Sequence, residues 1–269
     1  MSASRQDYWW WRLFATGVCF ALFGLGGVLL RGVVFPAQRL CGGSPQDRQR
    51  RARRTVHHSF KLFVRMMRVL GILTLEVRGK QELGKPGQMI IANHPSLLDV
   101  VLLISLIPDA NCIVKHSLAR NASTRGAIAA CGYVTNDESL EMFERAVQIL
   151  RAGETLIVFP EGTRTPADAM PRFHRGACAI ALRGARSVTP VVIKMTPRGL
   201  GKGDPWYRIA PRRMHYLIEV GEDIVPDHWR DAQPLPIAGR KMQTYLHAWY
   251  NTALQAEPNP NRAESSNSP

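Results

Sequence analysis

The chain opens on an apolar run: residues 13–30, LFATGVCFALFGLGGVLL, carry no charge, with Trp9, Trp10, Trp11 and Arg12 before them and Arg31 after. That is the length of a membrane helix, and a tryptophan cluster at one end is the interfacial belt such helices carry. A secretory signal peptide is the alternative, but the tryptophans and the lack of a small-residue cleavage site after the run weigh against it. Gly17, Gly24, Gly26 and Gly27 make this helix either closely approachable or pliable, and without a strict G-x-x-x-G repeat pliability is expected. A second helical pattern covers residues 55–70: Val56, Phe60, Phe63, Val64, Met67 and Leu70 share one face, and His57, Lys61, Arg65 and Arg68 another. Such a helix suits the plane of an anionic bilayer, although a surface helix packed on a domain would carry the same pattern.

Beyond residue 70 the pattern alternates. Short apolar or β-branched runs at 72–77, 89–93, 112–114, 155–159, 188–194 and 216–220 predict strands. Helical stretches at 96–107, 138–151, 175–184 and 238–254 are interleaved with them. Strands that are apolar throughout and alternate with helices predict an α/β fold with a mostly buried central sheet flanked by helices, preceded by N-terminal membrane helices. The clearest helix is 138–151, with Leu140, Phe143, Val147 and Leu150 on one face, Asn136 or Asp137 as its cap and Gly153 as its stop. The expected organisation is a membrane-anchoring helix at 1–31, a basic linker and interfacial helix at 32–74, an α/β domain at 75–256 and a disordered Pro/Asn/Ser-rich tail at 257–269.

Charge sharpens the picture of the N-terminal third. The 269 residues hold 35 Lys and Arg against 21 Asp and Glu, a formal +14, while 45% hydrophobic content excludes a disordered chain. Residues 31–68 contain ten basic side chains and one acid, Asp47, so 10 − 1 = +9 of the +14 sits in this stretch. A basic excess immediately after an apolar anchor places the bulk of the chain on the cytoplasmic side. Cys19, Cys41, Cys112, Cys131 and Cys178 are odd in number and scattered without C-x-x-C spacing, which predicts reduced thiols rather than a disulfide framework or zinc site.

Two strand ends carry candidate chemistry. After the 89–93 strand come His94, Pro95 and Ser96, and then Leu97, Leu98 and Asp99. Pro95 keeps His94 out of helical geometry, and a turn lets His94 and Asp99 meet although five residues on a continuous helix would hold them about 140° apart. A carboxylate beside a histidine fixes its tautomer and supports the imidazolium formed when the ring takes a proton from a hydroxyl. Ser96 to Asp99 also reads as a plain capping box. After the 155–159 strand come Pro160, Glu161, Gly162, Thr163 and Arg164. Here Arg164 offers a bidentate fork for phosphate, Gly162 close backbone approach and Thr163 a hydroxyl, the bland reading being a turn with a solvated arginine.

Taken in this order, NHPSLLD (Asn93 to Asp99) and FPEGTR (Phe159 to Arg164) resemble the signature blocks of the glycerolipid acyltransferases, of which the lysophosphatidate acyltransferases are typical. The stretches VKHSL from Val114, FHRG from Phe173 and VTPVVI from Val188 resemble weaker blocks of the same family. The resemblance implies His94 as general base, Asp99 as its orienting partner, and Glu161, Gly162, Thr163 and Arg164 as binders of the acceptor's polar or phosphate group, with Lys115 alongside. It implies a lyso-lipid acceptor, most simply 1-acyl-glycerol-3-phosphate, and acyl-carrier protein or acyl-CoA as donor, with no metal or bound cofactor. The expected partner surface is an anionic phospholipid membrane, and no nucleic acid is expected. One block departs: where the family carries G-x-x-x-I-D-R, this chain has Gly132 to Glu138, with Glu138 in the place of the arginine. A carboxylate there repels phosphate, which leaves room for lyso-ornithine lipid or a glycolipid as acceptor; a non-catalytic membrane adaptor is the reading outside enzymology.

Overall fold

The computed structural model describes residues 8–165, 173–201 and 203–255; the 257–269 tail expected above lies outside the described residues. Seven strands form one sheet in the order β1-β7-β6-β2-β5-β3-β4. They are β1 Leu73–Arg78, β2 Gln88–Ala92, β3 Ala110–Lys115, β4 Val134–Asn136, β5 Thr155–Val158, β6 Ser187–Thr196 and β7 Met214–Val220. β2 to β6 are mutually parallel, and β7, antiparallel to β6, carries β1 parallel to itself. Five strands therefore end on one edge.

The expected α/β architecture is what is found, with both sheet faces covered. Ile90, Ala92, Ile157, Val191 and Ile193 join one apolar core; Met89, Ile91, Leu156, Val158 and Val192 join the other. Alternate residues of one strand serve opposite cores, which is why these strands read as continuous apolar runs. The first core is closed by the long helix α3 (Pro45–Val69), α4 (Asp99–Leu106) and α6 (Arg125–Cys131), the second by α7 (Leu140–Arg151), α8 (Arg175–Gly184) and α10 (Leu235–Gln255). Short helices α5 (His116–Arg120) and α9 (Asp227–Arg230) fill connections. Ser139 rather than Asn136 or Asp137 caps α7: its hydroxyl accepts from the Met142 N–H at 3.0 Å, and Asp137 braces the cap by accepting from the Ser139 N–H at 3.1 Å.

The N-terminal helices belong to this body. Helix α1 (Trp9–Leu29) continues through a π-helical turn into α2 (Phe35–Leu40), and this run is long and apolar enough to cross a membrane. Only a narrow stripe of α1, Arg12, Ala15, Thr16 and Cys19, is buried, whereas Trp10, Phe14, Leu25 and Leu29 are exposed. The helix is held near both of its ends. Arg12 donates to the carbonyls of Ala210 and Pro211, each at 2.9 Å. At the other end a Cβ on Gly27 would stand 2.0 Å from the Ser123 carbonyl oxygen. Close approach, not pliability, is thus what Gly27 provides; the partner is a loop rather than a second helix, so no G-x-x-x-G repeat is needed.

Helix α3 starts ten residues earlier than its apolar period indicates. Ser44 and Asp47 form a capping box, with Asp47 N–H to Ser44 Oγ and Ser44 N–H to Asp47 Oδ2 both at 3.1 Å, and Pro45 occupies the first turn. Its basic residues divide between two environments. Arg54, Lys61, Arg65 and Arg68 are exposed, but Arg53 is 2% exposed and pairs with Asp109 at 2.6 Å and Glu154 at 3.3 Å. His57, expected on the polar face, is buried against the Ile104 carbonyl at 2.9 Å. The inner face of this helix is domain core.

Candidate active site

Strand β2 stops at Ala92 because Asn93 completes the ladder with its side chain. The buried amide donates to the Ile193 carbonyl at 2.9 Å and accepts from the Ile193 N–H at 2.7 Å, so the main chain at His94 is released to turn. Pro95 and a turn through Ser96, Leu97 and Leu98 follow before α4 begins at Asp99.

Within that turn His94 Nδ1 lies 2.7 Å from Asp99 Oδ2. Asp99 is fully buried and accepts two more bonds, from the Ser96 N–H and the Ser96 hydroxyl, each at 2.6 Å. Burial pushes the Asp99 carboxyl up from its ordinary value, and the His94 and Ser96 donors pull it back. With the carboxyl oxygens accepting from Ser96, Nδ1 is assigned as the protonated ring nitrogen, which leaves the Nε2 lone pair for a substrate. Nε2 makes no hydrogen bond among the described residues, and the His94 side chain is 17% exposed, enough to be reached. The Phe159 ring packs on the imidazole with centroids 4.4 Å apart. One carboxyl thus braces the turn and contacts the histidine, but the plain capping box expected of Ser96 to Asp99 does not form: α4 begins at Asp99 behind Leu98, which makes no side-chain cap bond, and Ser96 Oγ accepts from the Leu98 N–H at 3.2 Å instead.

The loop after β5 is laced to the same turn. Buried Glu161 accepts from the His94 N–H at 3.0 Å through Oε1 and from the Thr165 hydroxyl through Oε2, and the Thr165 N–H donates to the His94 carbonyl at 3.0 Å. Burial pushes the Glu161 carboxyl up to about 7, with the Asp99 charge adding to the rise and the His94 N–H opposing it. Gly162 sits at φ +66°, a left-handed position that disfavours a side chain, and Gly162 and Thr163 form an exposed tip.

Arg164 is not the solvated arginine of the bland reading. Its Nη1 donates to the carbonyls of Leu200 at 3.0 Å and Gly201 at 2.7 Å, so the guanidinium fastens the β6–β7 loop where Leu200 itself adopts φ +55°. Its Nε and Nη2 make no hydrogen bond among the described residues. Lys115 ends β3 on the same sheet edge, exposed and without an ion pair among the described residues. Glu138 is exposed at φ +59° between Asp137 and the α7 cap.

Two members of the site carry no sequence signal of their role. Ser96 links Asp99 to Tyr216 of β7, whose buried hydroxyl donates to Ser96 Oγ at 3.0 Å. Asn93 is readable as part of its motif, though not as the device that ends β2. All five cysteines are free, and burial pushes the Cys112, Cys131 and Cys178 thiols up to about 12, which makes them inert at neutral pH. Among the described residues no group of three or more His, Cys, Asp or Glu side chains is placed to hold a metal ion.

The family model described as Acyltransferase matches residues 74–194, a stretch that contains His94, Asp99 and the whole Phe159 to Arg164 loop. The chain is 24% identical over 147 residues to the 1-acyl-sn-glycerol-3-phosphate acyltransferase of Pseudomonas aeruginosa, covering 52% of this chain and 57% of that protein. It is 31% identical over 147 residues to the enzyme of the same name from Saccharomyces cerevisiae, covering 51% and 48%. Against the lyso-ornithine lipid O-acyltransferase of Pseudomonas aeruginosa it is 29% identical over 144 residues, covering 50% and 54%. The match thus spans about half the length of these relatives. The crystal structure of PlsC, the 1-acyl-sn-glycerophosphate acyltransferase from Thermotoga maritima, shares the fold, with a TM-score of 0.71 at 22% identity over 92% of this chain and 98% of that one. By its domain match and its curated relatives the chain is similar to the glycerolipid acyltransferases over residues 74–194 and their surroundings, and it shares the fold of PlsC.

Proposed function

We propose that the protein is a membrane-bound O-acyltransferase that moves an acyl chain from acyl-carrier protein or acyl-CoA to the hydroxyl of a lyso-lipid, 1-acyl-glycerol-3-phosphate first among them. The observation that carries this reading is the 2.7 Å bond from His94 Nδ1 to buried Asp99, with Nε2 unengaged at the edge where five strands end. The acceptor hydroxyl gives its proton to Nε2 as its oxygen attacks the thioester carbonyl. A C–O bond forms, the C–S bond breaks, and the departing thiolate takes the proton from the imidazolium, leaving an ester and a free thiol. Asp99 orients the ring and offsets the positive charge that develops on it. Gly162, Thr163, Nε and Nη2 of Arg164, which make no bond among the described residues, and Lys115 are the groups available to the acceptor's phosphate.

The reading places the catalytic domain at the cytoplasmic face. Support comes from the exposed apolar side of α1 and the exposed basic residues of α3, which match a bilayer of anionic lipid. Fastening of α1 at both Arg12 and Gly27 favours a helix lying along the domain in the interface over one that leaves it to cross the bilayer. The same basic surface suits an acidic acyl-carrier protein, in which case activity with that donor falls as ionic strength rises.

The test is turnover of the purified protein in mixed micelles against 1-acyl-glycerol-3-phosphate, lyso-ornithine lipid and a lyso-glycolipid, with products identified by mass spectrometry. Esterification of 1-acyl-glycerol-3-phosphate is expected; turnover of none of the three refutes the reading. A second acceptor class is favoured by Glu138, which brings a negative charge, and by the engagement of Arg164 Nη1 on the β6–β7 loop, which takes up one of the guanidinium's donors. Turnover of lyso-ornithine lipid alone would select it.

A further inference from the structure

We propose that Tyr216 is a positioning residue for the His94–Asp99 pair, acting through the hydroxyl of Ser96. This deepens the acyltransferase reading and rests on it. A serine hydroxyl has one proton to donate and two lone pairs to accept with. At Ser96 all three are engaged: Oγ accepts from the Tyr216 hydroxyl at 3.0 Å and from the Leu98 N–H at 3.2 Å, and donates to Asp99 Oδ1 at 2.6 Å. With both lone pairs filled, the hydroxyl proton is directed at the carboxylate.

Tyr216, Ser96 and Asp99 are each 0% exposed, so no solvent stands ready to replace a lost member, and a buried network of this kind is polarised from one bond to the next. The tyrosine is held by the sheet itself, paired across to Leu75 of β1 and Met195 of β6. Through Ser96 the orientation of Asp99, at the start of α4, is referenced to β7 rather than to its own turn alone. The ionisable groups facing Asp99 are His94, Glu161 and Tyr216. Glu161 titrates near neutrality, so its contribution must be removed from any pH profile.

Tyr216→Phe keeps the ring and deletes the hydroxyl. Measured in a Glu161→Gln background, it is expected to lower kcat about threefold to tenfold, the worth of one buried hydrogen bond, with KM for donor and acceptor unchanged. Without the tyrosine's donation Ser96 Oγ is a weaker donor to Asp99, so the carboxylate holds the imidazolium more tightly and the acid limb of the pH profile moves to higher pH. The 15N NMR titration of His94 in the substrate-free protein moves the same way. In a Ser96→Ala background Tyr216→Phe should add nothing further, because the link is already cut. Unchanged kcat and an unmoved His94 titration overturn the proposal, as do additive losses in the double variant. Failure of wild-type turnover would refute the acyltransferase reading, while the His94 titration still decides on Tyr216. If Tyr216→Phe does not fold, Ser96→Ala and the same titration take its place, and an unmoved His94 titration in Ser96→Ala overturns the proposal.

Discussion

Replacing Glu161 with glutamine should change how stability depends on pH in a calculable direction. The carboxyl is 6% exposed and burial lifts it from 4.5 to about 7. Its folded value therefore lies above its unfolded one, so the stabilisation it contributes is complete below pH 4.5 and is lost as pH rises through 7. Between those limits the unfolded chain has released the proton and the folded chain still holds it. At about 1.4 kcal/mol per pH unit the interval corresponds to about 3 kcal/mol, an upper bound. A glutamine side chain at this position is nearly isosteric: its oxygen can accept from the His94 N–H, and nothing titrates. Urea denaturation in detergent micelles, followed by circular dichroism across about pH 5 to 8, gives the difference between the two proteins. Wild type should lose about 2 to 3 kcal/mol relative to Glu161→Gln across this range. A difference that is the same at every pH would refute the burial argument.

Two further substitutions separate side chains that look alike in sequence. Arg53→Ala leaves Asp109 and Glu154 without their buried partner and should destabilise the fold by about 3 kcal/mol, whereas Arg54→Ala, on exposed surface, should cost less than about 0.5 kcal/mol by the same denaturation assay. Gly27→Ala must push the Ser123 backbone aside and should cost about 1 to 3 kcal/mol and expose the 41–44 connection between α2 and α3 to protease; Gly26→Ala, with nothing within 4 Å, should be neutral or slightly stabilising.

What can be read from the sequence is whatever is local in the chain. His94 and Asp99 are five residues apart, and the proline between them announces the turn that joins them, so their meeting is predictable before any fold is known. Strands β2, β5 and β6 announce themselves as apolar runs because both of their faces are buried. β4 does not, being three residues long at the sheet edge. The start of α3 is hidden because residues 45–54 are mostly polar, and only the Ser44 and Asp47 cap marks it. Arg53 reads like its neighbours until the fold brings Asp109 and Glu154 around it. That Arg164 also fastens a loop is not legible, because the Leu200 carbonyl it holds lies 36 residues away. Tyr216 reaches Ser96 across 120 residues, and nothing in either local sequence marks the other.

Everything proposed for the site turns on His94 removing the proton of an acceptor hydroxyl. The direct measurement is thioester cleavage and ester formation by wild type and His94→Ala with 1-acyl-glycerol-3-phosphate, alongside circular dichroism and vesicle binding of both proteins. A general base contributes about 10²- to 10⁴-fold, so His94→Ala should lose at least about a hundredfold in turnover while its fold and its membrane association stay as in wild type. Turnover within about tenfold of wild type by a folded His94→Ala would contradict it.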